Sequence, residues 1–370
     1  MKTISWITAD CFLDVDLPVI ARLKEHYRIF WQIIIGHSCG IDYRGFVKMQ
    51  IPEPGENLEI QFIDEKHRRR DPRMLASDYA VIRRAKAFKP DFYYVSGFML
   101  PWGLPLLRIM LPADKVVMAC HNVSTPKGAT KSGLAEISMR FVLASFRNIQ
   151  VFSKGQHEVL DSRCSGKNVL EAPLALKDFG EPRTGDRADD GIVRFLNFGI
   201  IRDYKRVDLL IEAGCLLYER GFRNFRVLIA GSCPEWDSRY SGLVRYPEIF
   251  ELDIRRIPNE DVPGLFARSD YFVMPYQDIA QSGALTVAFQ YNLPPIVSDI
   301  PQFREFVEEG VTGLYFKSGD AVSLADKMQY VIEHHASVYP SLKENQAAFV
   351  RENLSLDSIV ARYRAYFDRL

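Results

Sequence analysis

Short apolar segments alternate with amphipathic helical patterns along most of the chain, and this alternation limits the fold more than any other feature. An apolar strand pattern at residues 4–9 is followed by a helical pattern at 18–26 and a second strand pattern at 29–35. Strands and helices that alternate in this way predict a parallel sheet covered by helices on both faces. Residues 40–71 depart from the alternation, and we expect an extra hairpin or an irregular excursion there.

A polar segment rich in Gly and Pro at residues 177–190 divides the alternation into two runs. Such composition shifts mark domain boundaries, and a chain of 370 residues is long enough for two cores. We therefore predict the α/β class, with two doubly wound Rossmann-like domains that face each other across a cleft. The predicted domains are residues 1–176 and 177–352, and a final helix within 353–370 is expected to pack back on the first domain. The second run is expected to include a helix at 301–309.

The composition argues against several classes of protein. Lys and Arg together number 47, as do Asp and Glu, so no overall field attracts nucleic acid, and we expect no nucleic-acid partner. The six cysteines form no Cys-x-x-Cys pair, which favours buried thiols in a reducing compartment rather than disulfides or a zinc site. The N-terminus lacks the layout of a signal peptide, and no apolar run reaches the roughly 18 residues that span a bilayer. We therefore expect a cytoplasmic protein.

Two segments of the second half predict a site for an anion. Gly199 follows an apolar strand pattern at 192–198, and Arg202 and Lys205 come directly after it. Loops at the carboxyl ends of parallel strands face the ligand crevice, so both cations are expected there; the alternative for each is a solvated surface position. The second segment, 281–285, places a Ser-Gly pair before a helical pattern, whose free N–H groups and dipole favour negative charge. Together the two segments are expected to hold a diphosphate.

The order of motifs in the second half resembles that of the retaining glycosyltransferases of family 4. The match begins with the strand, loop and helix just described and continues through weaker pieces in the family's order. Those pieces lie at 198–205, 207–213, 226–231, 257–262, 265–270, 271–276, 281–285, 294–299 and 310–314. The resemblance covers essentially all of the second domain, and its specificity lies in the ordered series.

This resemblance implies a GT-B fold and a metal-independent transfer, with retention of anomeric configuration, from a nucleoside-diphosphate sugar to a glycan or lipid-linked acceptor. The second domain would hold the donor and the first the acceptor. No separate cofactor is implied, because the nucleotide sugar is a substrate. Arg202 and Lys205, beside Gly199, would neutralise the leaving diphosphate. The donor would also contact a base loop and the segment before the next helix, at Arg256, Ile257, Pro258, Gln281, Ser282, Gly283, Ala284 and Leu285.

The chain departs from the family in one respect. Members commonly carry two glutamates, with seven residues between them, on either side of the Ser-Gly pair, and the second contacts the donor ribose. Here Ile279 and Val287 occupy those positions. Gln281 or backbone amides would then supply the missing hydrogen bonds. The departure motivates a rival from a different class, a catalytically silent GT-B subunit that binds a partner or a glycan. A nucleotide-sugar epimerase or a phosphatase on a similar fold is a weaker third choice.

The first domain offers two candidate side chains at predicted strand ends. His121 follows the strand pattern at 116–120 and precedes an Asn-Val pair, as in the family, which implies a role in orienting the sugar and acceptor. The alternative is a core histidine near a strand end. Lys154 follows the strand pattern at 149–152, where it would either approach the phosphates or lie on the surface.

Two charged clusters of the first half have open interpretations. Residues 66–70 with Arg73 form the only dense basic run, which is either a solvated loop or a site for an anionic acceptor or a phospholipid surface. The second interpretation would place the protein peripherally at the inner face of the membrane. Asp14 and Asp16 are acidic residues near a helix N-terminus, or they contact the acceptor.

Overall fold

The chain folds into two compact units. The computed structural model describes residues 1–36, 42–68, 71–98, 101–123, 132–182, 190–279 and 282–370. The first unit contains the described residues up to Ala175 together with Ser355–Leu370, and the second contains Leu176–Leu354. These boundaries lie one to two residues from the divisions expected after residues 176 and 352.

The first unit is built on a parallel sheet. Its described strands are β1 (Thr3–Ala9), β2 (Arg28–Ile35), β3 (Leu58–Asp64), β4 (Phe92–Ser96), β5 (Val116–Ala119), β6 (Asn148–Val151) and β7 (Asn168–Glu171). They lie in the order β3-β2-β1-β4-β5-β6-β7. The strand order reverses between β1 and β4, and open sheets of this kind bind ligands where the carboxyl ends of such strands meet. The loops after β1, β4 and β5 therefore mark the functional edge of this unit.

Helices cover both faces of this sheet, because the strands are apolar on both sides. Those described are α1 (Leu13–Leu23), α2 (Tyr43–Gln50), α3 (Met74–Ala87), α4 (Gly103–Met110), α5 (Ser132–Ser145) and α6 (Lys154–Arg163). The last helix of the chain, Leu356–Phe367, also belongs to this unit. Its Ile359, Tyr363 and Phe367 are buried in one core with α1 and β1.

The second unit repeats the same plan. Its described strands are β8 (Val193–Phe198), β9 (Phe225–Ala230), β10 (Phe250–Asp253), β11 (Tyr271–Met274), β12 (Pro295–Ser298) and β13 (Leu314–Phe316). They are parallel in the order β10-β9-β8-β11-β12-β13, with the reversal between β8 and β11. The helices described are α7 (Val207–Glu219), α8 (Trp236–Arg239), α9 (Val262–Ala267), α10 (Gly283–Gln290), α11 (Ala321–Glu333) and α12 (His335–Phe349), so that Leu356–Phe367 is α13. The prediction of two doubly wound Rossmann-like α/β domains is confirmed.

Several local features differ from the sequence-based expectations. The first helix, expected at 18–26, spans Leu13–Leu23 and contains Pro18. The described part of the segment at 40–71, residues 42–68 and 71, continues the alternation, because α2 leads into β3, which pairs in parallel with β2. The edge strand Asn168–Glu171 was not expected. The helix expected at 301–309 is a single short turn, Pro301–Phe303. Within the described residues, the helices are too short or too polar to cross a bilayer.

Candidate active site

The loop after β8 is shaped by two glycines. Gly199 has a φ of +105°, a conformation that glycine adopts without strain. A side chain on Gly231, which follows β9, would place its Cβ only 2.1 Å from the carbonyl oxygen of Gly199. The loop is also anchored to the chain after β9, since the amide of Ile201 donates to the carbonyl of Ser232 at 3.0 Å. This close approach of two strand ends holds the short helical turn Asp203–Lys205 at the sheet edge.

Lys205 carries its ammonium group into the interior at this edge. The residue is only 7% exposed, and Nζ lies 5.4 Å from the centre of the Tyr276 ring. Among the described residues, no carboxylate forms an ion pair with it. Burial and, to a smaller extent, the positive charge of Arg202 together lower its pKa to about 8. A buried cation without a counter-ion is costly, so this position favours a bound anion.

The residues that follow β11 complete the surroundings of Lys205. The amide of Gln277 donates to the carbonyl of Tyr204 at 2.9 Å, which ties the loop after β11 to the loop after β8. The Tyr204 and Tyr276 rings meet edge to face, with centroids 5.8 Å apart. The structure therefore brings Gly199, Arg202 and Lys205 together at the point where the strand order reverses. Arg202 itself is exposed.

The segment before α10 was predicted to offer its amides to the same anion. Ser282 caps the helix, and its hydroxyl accepts a hydrogen bond from the amide of Leu285 at 3.1 Å. The Leu285 amide is thus engaged within the helix, and Leu285 is buried. Gly283 and Ala284 supply the first two amides of the helix, which point to its N-terminal side. Gln281 lies outside the described residues.

One cation at this segment was missed by the sequence analysis. The ammonium nitrogen of Lys177 lies 3.0 Å from the position that a Cβ on Gly283 would occupy. Lys177 comes from the chain just after the boundary between the units, and the sequence contains no local signal that would pair it with a helix about 100 residues later. The N-terminus of α10 therefore carries more positive charge than predicted.

The predicted base loop lies at the same edge of the second sheet. Arg256, Ile257 and Pro258 follow β10, which is two strands from β8, a spacing of about 10 Å. Arg256 is exposed and Ile257 packs on the core beside α9. The neighbouring Arg255 is engaged by Asp253 at 2.7 Å and is thus a structural cation.

The positions of the family's two glutamates are part of the apolar core. Ile279 is 7% exposed and Val287 is 2% exposed. Both belong to the cluster that contains α9 and α10. A carboxylate at either position would be buried among apolar side chains here, so the hydrogen-bonding groups for a ribose must come from elsewhere.

His121, in the first unit, lies just after β5. Its ring is stacked between Phe12, at a centroid distance of 3.7 Å, and Phe152, at 4.5 Å. Its Nε2 atom lies 3.1 Å from the hydroxyl oxygen of Ser96, at the end of β4. The ring is half-buried at the edge where β1 and β4 reverse the strand order. This is the functional edge of its own sheet.

The remaining candidates of the first unit lie in the basic run, in α6 and in α1. Arg73 is held by Asp71 at 2.6 Å, so the basic run loses one cation to a local pair. Arg69 and Arg70, which belong to the same predicted basic run, lie outside the described residues. Lys154 begins α6. Asp14 and Asp16 lie in the first turn of α1, and Asp16 is fully buried. No cluster of three metal-ligating side chains occurs among the described residues.

Residues 193–334 match the family model described as "Glycosyl transferases group 1". Comparison with curated proteins gives no match.

Several solved structures share the fold over the whole chain. HepE of Anabaena, in complex with UDP and glucose, superposes with a TM-score of 0.74 at 13% identity, covering 100% of both chains. Sucrose-phosphate synthase from Thermosynechococcus elongatus gives 0.73 at 15% identity, again over 100% of both chains. A glycosyltransferase from Rickettsia africae gives 0.72 at 14% identity, covering 100% of this chain and 99% of that one.

The two units thus form a GT-B fold. The match of the second unit to the group 1 model identifies the chain as a glycosyltransferase.

Proposed function

We propose that this glycosyltransferase moves a sugar from a nucleoside-diphosphate sugar, with UDP as the nucleotide, to a glycan or lipid-linked saccharide. One observation carries the proposal: the buried ammonium of Lys205 lies at the carboxyl end of β8 without a counter-ion among the described residues. A diphosphate at this edge would supply the missing charge. The choice of UDP is supported by HepE, a structure of the same fold that was solved with UDP and with UDP-glucose.

The transfer would proceed with retention of configuration and without a metal ion. The bond between the anomeric carbon and the diphosphate oxygen breaks, and the acceptor oxygen attacks the same face of the sugar. The departing phosphate oxygen takes the acceptor's proton. Lys205 and Arg202 stabilise the charge that develops on the leaving group, and each pair at ~4 Å in an effective dielectric of about 20 gains on the order of 4 kcal/mol before desolvation. His121 orients the sugar and the acceptor.

The setting of the reaction is also part of the proposal. Cys120, Cys164, Cys215 and Cys233 are free thiols, which supports a reducing compartment and hence a cytoplasmic enzyme. A lipid-linked acceptor would bring the enzyme to the inner face of the membrane, where the basic segment at 66–68 would meet anionic headgroups.

The apolar residues Ile279 and Val287 favour a second candidate, a catalytically silent GT-B subunit. Calorimetry with UDP, GDP and ADP, followed by assays of donor hydrolysis and transfer with UDP-sugars, separates the two. The enzyme is expected to bind UDP and to consume the donor in the presence of EDTA. Binding without turnover over a broad panel of acceptors would favour the silent subunit.

Lys205→Ala tests the site itself, with Lys317→Ala as the matched control on an exposed surface position. We expect Lys205→Ala to lower turnover by far more than tenfold, while Lys317→Ala keeps the original rate. Equal rates for the two variants would remove Lys205 from the mechanism.

A further inference from the structure

A buried carboxyl group lies close to Ser96, the residue whose hydroxyl group contacts His121 in the first unit. Asp16, in the first turn of α1, is 0% exposed. Its Oδ2 atom accepts hydrogen bonds from the Thr8 hydroxyl at 2.7 Å and from the Trp6 indole at 3.1 Å. Burial raises its pKa to about 7, against the opposing effect of these donors. Asp16 therefore exists in both protonation states near neutral pH.

Ser96 connects this carboxyl group to His121. Its hydroxyl oxygen lies 3.1 Å from Nε2 of His121, and its side chain lies close enough to the Asp16 carboxyl to favour the charged form and so to lower its pKa. The Oδ1 atom of Asp16 is buried, and no partner within 3.5 Å satisfies it among the described residues. A serine hydroxyl has a single proton, so Ser96 donates to only one of its two neighbours at a time.

The imidazole ring of His121 has little freedom to respond by moving. Phe12 is parallel to it within 1° at a centroid distance of 3.7 Å, and Phe152 covers it at 4.5 Å. Because the stacked rings hold its plane, a change at Ser96 alters the position of the proton on the ring and not the position of the ring.

We propose that Asp16 and Ser96 are positioning residues that decide which ring nitrogen of neutral His121 carries the proton. With Asp16 ionised, Ser96 donates to the carboxylate and accepts from Nε2–H of His121. With Asp16 neutral, the carboxyl group donates to Ser96, Ser96 donates to Nε2, and the ring proton resides on Nδ1. Only the catalytic consequence rests on the proposed function.

The other titratable groups around Asp16 do not provide this switch. Asp14, on the same helix, acts on Asp16 only through its charge. Tyr94 on β4 and Tyr363 on α13 both have a pKa raised by burial, so they remain neutral throughout the physiological range. The titration near neutrality therefore belongs to the Asp16 carboxyl group.

Nitrogen-15 NMR of histidine-labelled full-length protein tests the proposal without any activity measurement. The chemical shifts distinguish the Nδ1–H, Nε2–H and doubly protonated rings, and His121→Gln assigns the signal among seven histidines. At pH 8 the original protein is expected to show Nε2–H. In Asp16→Asn, the amide oxygen would accept from Trp6 and Thr8 and the NH₂ group would donate to Ser96, so the same pH should give Nδ1–H.

A second pair of variants keeps the test valid if Asp16→Asn fails to fold. Ser96→Ala deletes one buried hydroxyl and should uncouple the His121 signal from Asp16, while Ser96→Thr should restore the coupling. Asp14→Asn is the control and should leave the Nε2–H form in place. An unchanged His121 tautomer in both Asp16→Asn and Ser96→Ala would overturn the proposal.

Kinetics then separate this inference from the proposed function. If both hold, kcat with the donor shows an inflection near pH 7 that Asp16→Asn abolishes, with little change in the donor KM. A tautomer that follows Asp16 in a protein without transferase activity would support the positioning role and count against the proposed function. Transferase activity in a protein whose His121 tautomer does not change in Asp16→Asn would support the proposed function and count against the positioning role.

Discussion

Replacing Lys205 by methionine is expected to make the ligand-free protein more stable while it destroys the anion site. Methionine is unbranched and similar in length, so it fills the same space against Tyr276 without a charge. The reason lies in the free energy of burying the ammonium group. Burial, with a smaller contribution from the charge of Arg202, shifts its pKa from 10.5 to about 8, and at 1.36 kcal/mol per unit the charged form costs about 3 kcal/mol in the folded state.

The sign of the pH dependence follows from linkage. The folded pKa is lower than the unfolded one, so the unfolded chain binds more protons between pH 8 and 10.5, and stability rises over that window. Below pH 8 both states are protonated and the full destabilisation remains. The variant also loses the contact of the ammonium group with the Tyr276 ring, which reduces its gain in stability by roughly 1 kcal/mol. We expect Lys205→Met to gain about 2 kcal/mol at pH 7, and to lose this advantage as the pH approaches 10.5.

Hydrogen exchange of the β8 amides, Val193–Phe198, reports on the unit that contains the substitution. Slower exchange than in the original protein is expected at pH 7 without ligand. Saturating UDP should stabilise the original protein and leave Lys205→Met unchanged, since the variant cannot supply the ammonium. Lys317→Met, at an exposed position, serves as the control and should match the original protein throughout. Faster β8 exchange in ligand-free Lys205→Met at pH 7 would refute the argument that the buried charge is uncompensated.

Two further predictions concern the same edge of the second sheet. UDP affinity should fall as the pH rises above about 8, because the bound anion favours the charged form of Lys205. Calorimetry at pH 8–9 should therefore show proton uptake when UDP binds. Lys205→Arg should bind UDP without this proton uptake, and an unchanged uptake in that variant would assign it to another group. Gly231→Ala should destabilise the second unit by more than about 2 kcal/mol and abolish UDP binding, because its Cβ would lie 2.1 Å from the Gly199 carbonyl oxygen. Gly242→Ala, where a Cβ meets nothing within 4 Å, is the control in thermal denaturation, and equal melting temperatures would contradict the prediction.

The sheet architecture was predictable because its signals are local. Apolar runs of four to eight residues alternate with helical patterns, and only a parallel sheet buries such strands on both faces. The weaker elements were not predictable in this way. The edge strand Asn168–Glu171 is short and half-buried, and it becomes a strand because β6 offers it a free edge. Residues 301–309 have a helical composition, but the chain leaves the helix after one turn.

The anion site shows the same division between local and distant information. Gly199, Arg202 and Lys205 are adjacent in the sequence, and the strand that precedes them places them at the correct edge. The burial of Lys205 depends on Tyr276, which comes from the loop after β11, about 70 residues later in the chain. The amide of Leu285 was expected to face the ligand, yet the hydroxyl of its own cap residue occupies it.

The sequence by itself determined the class of fold, the division into two units and the short-range grouping of the cations after β8, because each is encoded by residues close together in the chain. The tertiary structure alone decided which polar groups are buried and what they meet there. Asp16, Ser96 and His121 lie on three separate segments, and Lys177 meets an amide-bearing turn about 100 residues later. Desolvation and hydrogen bonding depend on these spatial contacts, and no periodicity or motif in the sequence predicts them.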